Sequence, residues 1–191
     1  LPAGALPLAT VTTDGSRVKV TDIVDARPFL SAPKAVVAGT VLQSVFTQSA
    51  AIDSTTATIP LDGTIPQITE GKEYAPLATT IIPKSASSKL RVKWTLCVTS
   101  AEVNCITIAA IFRDAGASAV CANASILLYG NILTGSFEVA SGSTNSTTFR
   151  LRFGREASGS ELYVNTWENS PSTTLFGGVN FSSMEVVEVA G

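Results

Sequence analysis

The side chains best equipped for chemistry lie in the last third of the chain. Arg150 and Arg152 alternate with Phe149, Leu151 and Phe153, while Tyr163 and Asn165 alternate with Leu162 and Val164. Period-two alternation marks strands with one buried face. Pairing these strands about a turn at 155–160 sets Phe153 against Leu162 and Leu151 against Val164. The opposite face then sets Arg152 against Tyr163, Arg150 against Asn165 and Thr148 against Trp167. Aromatic rings stack on the C–H faces of sugars, and Arg and Asn hydrogen-bond hydroxyls, so the set suits glycan contact. It equally suits a face covered by a neighbouring subunit or second sheet, where Trp and Tyr are enriched. The next loop, 167–172, adds Asn169 to Trp167 and Glu168 and reads either as a receptor-contact tip or as a solvated connection.

Other chemistry is poorly provided for. The 191 residues contain no histidine, which removes Ser-His-Asp and Cys-His machinery. Three cysteines without a CxxC spacing do not read as a zinc site. Asp53, Asp62, Glu70 and Glu73 form the densest carboxylate group, but no DxDxDG spacing is present and nothing singles out a glycosidase pair. The expectation is therefore no catalytic residue, no metal and no cofactor. Net charge is -2 without a basic patch, which disfavours nucleic acid. No apolar run reaches the ~18 residues of a membrane span. No charged segment leading into an apolar core opens the chain, so no secretory signal is read. Leu1 in first position reads as the start of a processed or excised piece. Charged residues are 15%, and a surface wetted mainly by hydroxyls opposes subunit contact only weakly.

The elements that must position these residues are strands. In 90–98, Leu90, Val92, Trp94, Leu96 and Val98 share one face, and Arg91, Lys93, Thr95 and Cys97 the other. In 105–112, Ile106, Ile108, Ala110 and Phe112 share a face, opposite Cys105, Thr107, Ala109 and Ile111. Folding the pair about Ala101 sets Leu96 against Ile106, Trp94 against Ile108 and Leu90 against Phe112. It also sets Cys97 against Cys105, where a cross-strand disulfide is geometrically possible. Further strands are predicted at 35–47 (with a bulge at Gly39), 72–82, 119–128, 132–140 and 181–189. No stretch keeps a helical period. About nine strands and no sequence repeat predict an all-β, antiparallel, jelly-roll-like sandwich.

Residues 1–50 read as an N-terminal arm and linker, and 51–191 as the sandwich. The arm holds two short strands joined by Thr13-Asp14-Gly15-Ser16, a hairpin signal. Two such strands cannot hold a core alone, so Val11, Val18, Val20, Ile23 and Phe29 are expected to be buried between chains or against a neighbouring sandwich. Ala109 and Ile111, outward on the first hairpin, are expected to leave apolar area for a partner to cover.

Six ordered pieces carry a resemblance: IPLDGTIPQITEGKEY (59–74), IIPKSASSKLRVKW (81–94), AAIFRDAGASAV (109–120), TTFRLRFG (147–154), LYVNTW (162–167) and FGGVNFSSMEVVEVAG (176–191). Together they resemble the C-terminal β-domain of tailed-bacteriophage tail-fibre and virion-appendage proteins, over residues 54–191. LATVTT (8–13) and VTDIVDARPF (20–29) resemble the segment of phage fibre and baseplate proteins that precedes a terminal domain. The resemblance implies a homotrimer exposed on the virion, joined to other virion proteins through the arm, and no catalytic residues. It implies contact with a host surface polysaccharide or protein; the other reading is a capsid, collar or tail decoration protein that joins virion parts. Assembly in a reducing cytosol implies free thiols at Cys97 and Cys105.

Overall fold

The computed structural model describes residues 10–11, 23–24, 37–127, 130–167 and 170–191. The chain divides into two compact units, Leu1–Val36 and Val37–Gly191. In the first unit, β1 (Thr10–Val11) and β2 (Ile23–Val24) pair antiparallel, with Val11 opposite Ile23. Val18, Val20 and Phe29, and the side chains of Val11 and Ile23, lie outside what is described, so the expected burial of the arm lies outside it too.

The second unit is a two-sheet antiparallel sandwich. The first sheet runs β3 (Val41–Ser49), β15 (Ser182–Val189), β7 (Lys89–Ser100), β10 (Gly130–Ala140). Beyond the end of β15, the same edge of β7 takes β12 (Leu162–Val164), which pairs in turn with β4 (Asp53–Thr55). In the second sheet, β5 (Lys72–Glu73) and β6 (Thr79–Ile81) both pair with β11 (Thr147–Arg155), followed by β8 (Cys105–Arg113) and β9 (Cys121–Leu127). A ribbon, β13 (Thr166–Trp167) with β14 (Ser170–Thr174), completes the strands. The steps β6 to β7, β7 to β8, β9 to β10 and β11 to β12 each change sheet. That alternation makes the fold a jelly roll, as the strand pattern predicts.

The same alternation overturns both predicted hairpins. Leu96 lies opposite Leu133 on β10, and Ile106 opposite Ile126 on β9, so β7 and β8 belong to different sheets. Likewise Leu151 pairs with Ile111, whereas Val164 pairs with Val98. Cys97 and Cys105 are consequently not register partners, and all three cysteines are free thiols. The reason is that period-two alternation tells which side of a strand is buried, not who covers it. Two strands facing one core from opposite sheets satisfy it as well as two strands side by side.

Where one face alone is apolar, the predicted orientation holds. Leu90, Val92, Trp94, Leu96 and Val98 are buried in the main core, as are Phe149, Leu151 and Phe153, while Arg91 and Lys93 point outward. Trp94 is 2% exposed, and its indole occupies the space left by Gly135 across the register: a Cβ there would fall 2.6 Å from Cε2 of the ring. On β8, apolar on both faces, the predicted orientation is reversed. Cys105, Ala109 and Ile111 enter the main core, and Ile108, Ala110 and Phe112 turn outward into a second cluster with Ile59. Ala109 and Ile111 therefore leave no apolar area for a partner.

That second cluster is covered by a strap, residues 57–71, laid over the second sheet. Ile59 N–H donates to Arg155 O (2.7 Å), Ile68 N–H to Ala117 O (2.8 Å) and Gly71 N–H to Thr58 O (2.8 Å). Gly71 has φ +62°, and a Cβ would lie 2.7 Å from Phe153 O, so glycine is needed where the strap closes on β11. Residues 37–50, expected to belong with the arm, instead begin the sandwich: β3 pairs along β15, with Gly39 in the turn that precedes it. The predicted strand 72–82 is broken into β5, a 3-10 turn at Ala75–Leu77 and β6, Pro76 starting the turn.

Candidate functional site

The structure does not bring the predicted set onto one face. Arg150 and Arg152 point outward from the second sheet, against the strap. Arg152 Nε–H donates to Glu70 O (2.7 Å) and its Nη2 to Gly71 O (2.7 Å), so it fastens the strap's closing end. Arg150 Nη1 donates to Asp114 O (2.7 Å) and its Nε lies 3.5 Å from Glu73. With Ile68, Glu73, Asp114 and Ala115 it lines an open depression of about 390 Å³. Tyr163 belongs to the first sheet, opposite Thr99, on the other side of the sandwich. Its phenol is pushed up by burial and by the Glu161 carboxylate. Asn169 lies outside the described residues.

Asn165 and Trp167 mark instead the base of a lobe, residues 166–181, inserted between β12 and β15. The chain leaves the first sheet at Asn165, in left-handed backbone (φ 58°), which Asn tolerates better than most residues. Asn165 is buried, not a surface contact. Its Nδ2 faces Ser49 O (2.9 Å), Ala51 O (3.1 Å) and the Tyr74 hydroxyl (2.9 Å), and its Oδ1 accepts from Ser182 Oγ (2.8 Å). The Tyr74 hydroxyl donates to Ala51 O (2.6 Å). Burial pushes the Tyr74 phenol up, partly offset by its hydrogen bonds to Ser49 and Asn165. The alternation pattern could not reveal this hub, because its members are far apart in the chain and none of them breaks a strand pattern.

The lobe carries exposed apolar side chains on a backbone held by turns. Trp167, Val179 and Phe181 are exposed, and Phe176 is 80% exposed. Phe176 adopts φ 50°, ψ 38°, followed by Gly177 at φ 67°. Left-handed backbone is unusual for a bulky residue and stores strain, a feature that concentrates at functional sites. Residues 166–181 include Glu168 as their single ionisable group. Such a surface can stack aromatic rings on an uncharged ligand and offers no cation to an anionic one.

The opposite end of the sandwich is held by a buried charge that the sequence pattern also hid. Glu188 follows Met184 and Val186 on the inward face of β15 and is fully buried. It accepts from Ser88 Oγ (2.6 Å), Gln43 Nε2 (2.6 Å), Lys84 N–H (2.8 Å) and Ser85 N–H (3.1 Å), pinning the turn between β6 and β7. Burial pushes this carboxyl up, but the hydrogen bonds from Ser88, Lys84, Gln43 and Ser85 outweigh it and hold the pKa below the ordinary carboxyl value. Among the described residues, no group of three or more His, Cys, Asp or Glu is placed to hold a metal ion. No helix among them is long and apolar enough to cross a membrane.

No protein-family model matches the sequence, and no curated protein matches it. Among solved structures, the chain is similar to Eiger TNF from S. frugiperda, with 10% identity, TM-score 0.40, and coverage of 77% of this chain and 93% of that one. It is also similar to a chain of the T13 infectious bursal disease virus particle (13% identity, TM-score 0.36, 97% of this chain and 40% of that one). The VP2 subviral particle of the same virus is similar at 11% identity and TM-score 0.34, over 95% of this chain and 42% of that one. The chain thus spans about two fifths of the length of these virus chains. None of these likenesses bears on function.

Proposed function

We propose that this chain is a bacteriophage virion-appendage protein, assembled as a homotrimer, whose jelly-roll domain contacts the host cell surface through the 166–181 lobe. Surface polysaccharide is the ligand class that fits the lobe's aromatic, hydroxyl-rich and cation-free make-up. The resemblance of residues 54–191 to fibre domains supplies the virion setting and the threefold symmetry. One observation carries the contact surface. The chain enters the sandwich beside its last strand, where Gly39 N–H donates to Ala190 O (2.8 Å) and Ala190 N–H to Thr40 O (2.8 Å). The lobe springs from the other end of β3 and β15, where Ser49 pairs with Ser182. Nine residues of β3 separate the two ends by about 30 Å at roughly 3.3 Å per residue. A domain attached through its N-terminal side would carry the lobe at its far tip.

Light scattering and binding test the reading. The purified chain should have the mass of a trimer at micromolar concentration; a monomer would reject the assembly, and a dimer would reject the fibre analogy. It should bind whole bacteria and arrayed bacterial surface polysaccharides, and Trp167→Ala should abolish most of that binding. Unchanged binding by Trp167→Ala would remove the lobe from the site. A second reading, a decoration protein joining virion parts, is favoured by the outer face of the first sheet. Among the described residues, that face exposes Phe46 and Ile132. Binding to purified virions, with none to cells or polysaccharides, would select that reading.

A further inference from the structure

Among the described residues, the lobe is attached to the sandwich at its neck and again just beyond it, and the two attachments differ in kind. At its neck, the side chains of Asn165 and Ser182 are hydrogen-bonded to each other, although 17 positions separate them. Ser182 Oγ also accepts from Cys97 N–H (3.1 Å), and Asn165 N–H donates to Cys97 O (3.1 Å). Both ends of the lobe are thereby tied to the same residue of β7. Beyond the neck, Thr99 Oγ1 donates to Thr166 O (2.9 Å) and the Cys97 thiol donates to Phe181 O (3.4 Å). Past Thr166, none of the lobe's described side chains is fully buried. The described side chains therefore form no core within the lobe, and few buried apolar contacts mean a low local opening free energy.

What lies beneath it is specific. Cys97 and Thr99 are on the outward side of β7, where Arg91 and Lys93 are exposed, yet both are buried. Carbonyls of the lobe cover them.

We infer that Asn165 and Ser182 form a latch that holds the lobe shut over Cys97, so that the lobe opens as a unit at this neck while the sandwich stays folded. Asn165 is then a positioning residue: it sets the lobe's orientation from inside the protein without touching what the lobe contacts. This holds whatever the ligand proves to be. Burial pushes the Cys97 thiol up, so the shut lobe leaves it protonated as well as hidden. Cys105, buried in the main core, reports global opening, and half-exposed Cys121 reports the reagent.

The experiment is alkylation of the full chain with iodoacetamide at neutral pH, read cysteine by cysteine by fragmentation mass spectrometry. Asn165→Gly removes the latch while keeping the left-handed backbone free of strain. Loss of a buried hydrogen-bonding hub should raise the Cys97 rate about tenfold or more, with Cys105 unchanged. Glu188→Gln, which weakens the opposite end, should leave the Cys97 to Cys105 ratio as in the wild type. Should Asn165→Gly fail to fold, Ser182→Ala removes the other half of the latch and is judged by the same ratio. A Cys97 rate that stays at the wild-type value, or that rises in step with Cys105, overturns the inference.

Discussion

Glu188 offers the sharpest test of how this sandwich is held together. Replacing it with alanine removes the acceptor from four donors, but not all four are stranded. Ser88 Oγ retains Ser85 O (2.7 Å), and Gln43 Nε2 retains Ile82 O (2.7 Å). The backbone N–H groups of Lys84 and Ser85 lose their acceptor and have no replacement in the structure. At about 1–3 kcal/mol for each stranded donor, plus the space left by the side chain, Glu188→Ala should lower stability by about 3–5 kcal/mol. Glu188→Gln keeps one acceptor oxygen and turns an amide N–H towards Gln43, so it should lose about 1–2 kcal/mol. The pH dependence separates charge from shape. The folded carboxyl titrates below its ordinary value, so its stabilisation is complete above the unfolded pKa and disappears as pH falls through the folded pKa. Urea unfolding followed by tryptophan fluorescence, from pH 7 downward, should show wild type and Glu188→Gln converging as the medium acidifies. Equal stability at pH 7, or a constant gap at every pH, would refute the buried-carboxylate account.

Two substitutions probe the core and the lobe. Trp94→Ala should cost about 3–5 kcal/mol in the same unfolding assay, because the indole is fully enclosed; a loss under about 1 kcal/mol would show that it is not core. Phe176→Gly relieves left-handed strain at a residue that is 80% exposed, so the melting temperature should stay level or rise slightly, while polysaccharide binding falls. A clear drop in melting temperature would mean that the ring stabilises the lobe.

Composition and periodicity were enough to read an all-β chain, the inward faces of β7 and β11, and a jelly-roll-like sandwich. These are local properties: one apolar face per strand, no helical period and turn residues between strands dictate them. Pairing is not local. Trp94 had to be buried, but whether it met Ile108 beside it or Gly135 and Met184 depended on the sheet each later strand joined. On β8, apolar on both sides, the alternation left the choice of face open, and the strap at 57–71 decided it by supplying Ile59 and Ile68 as a cover. The predicted set of site residues is split between two faces for the same reason. Arg150 and Arg152 could share a face with Tyr163 only if β11 and β12 were neighbours, and the change of sheet at 156–161 puts them on opposite sides. Asn165 looked like a surface amide beside two aromatics, yet its buried partners Ser49, Ala51, Tyr74 and Ser182 are assembled by tertiary contact alone. Glu188 is one of two glutamates in β15, and nothing in the sequence says which neighbours it will meet. Only the folded chain brings it two backbone N–H groups, a hydroxyl and an amide, and those four donors are what make an inward carboxylate stable there.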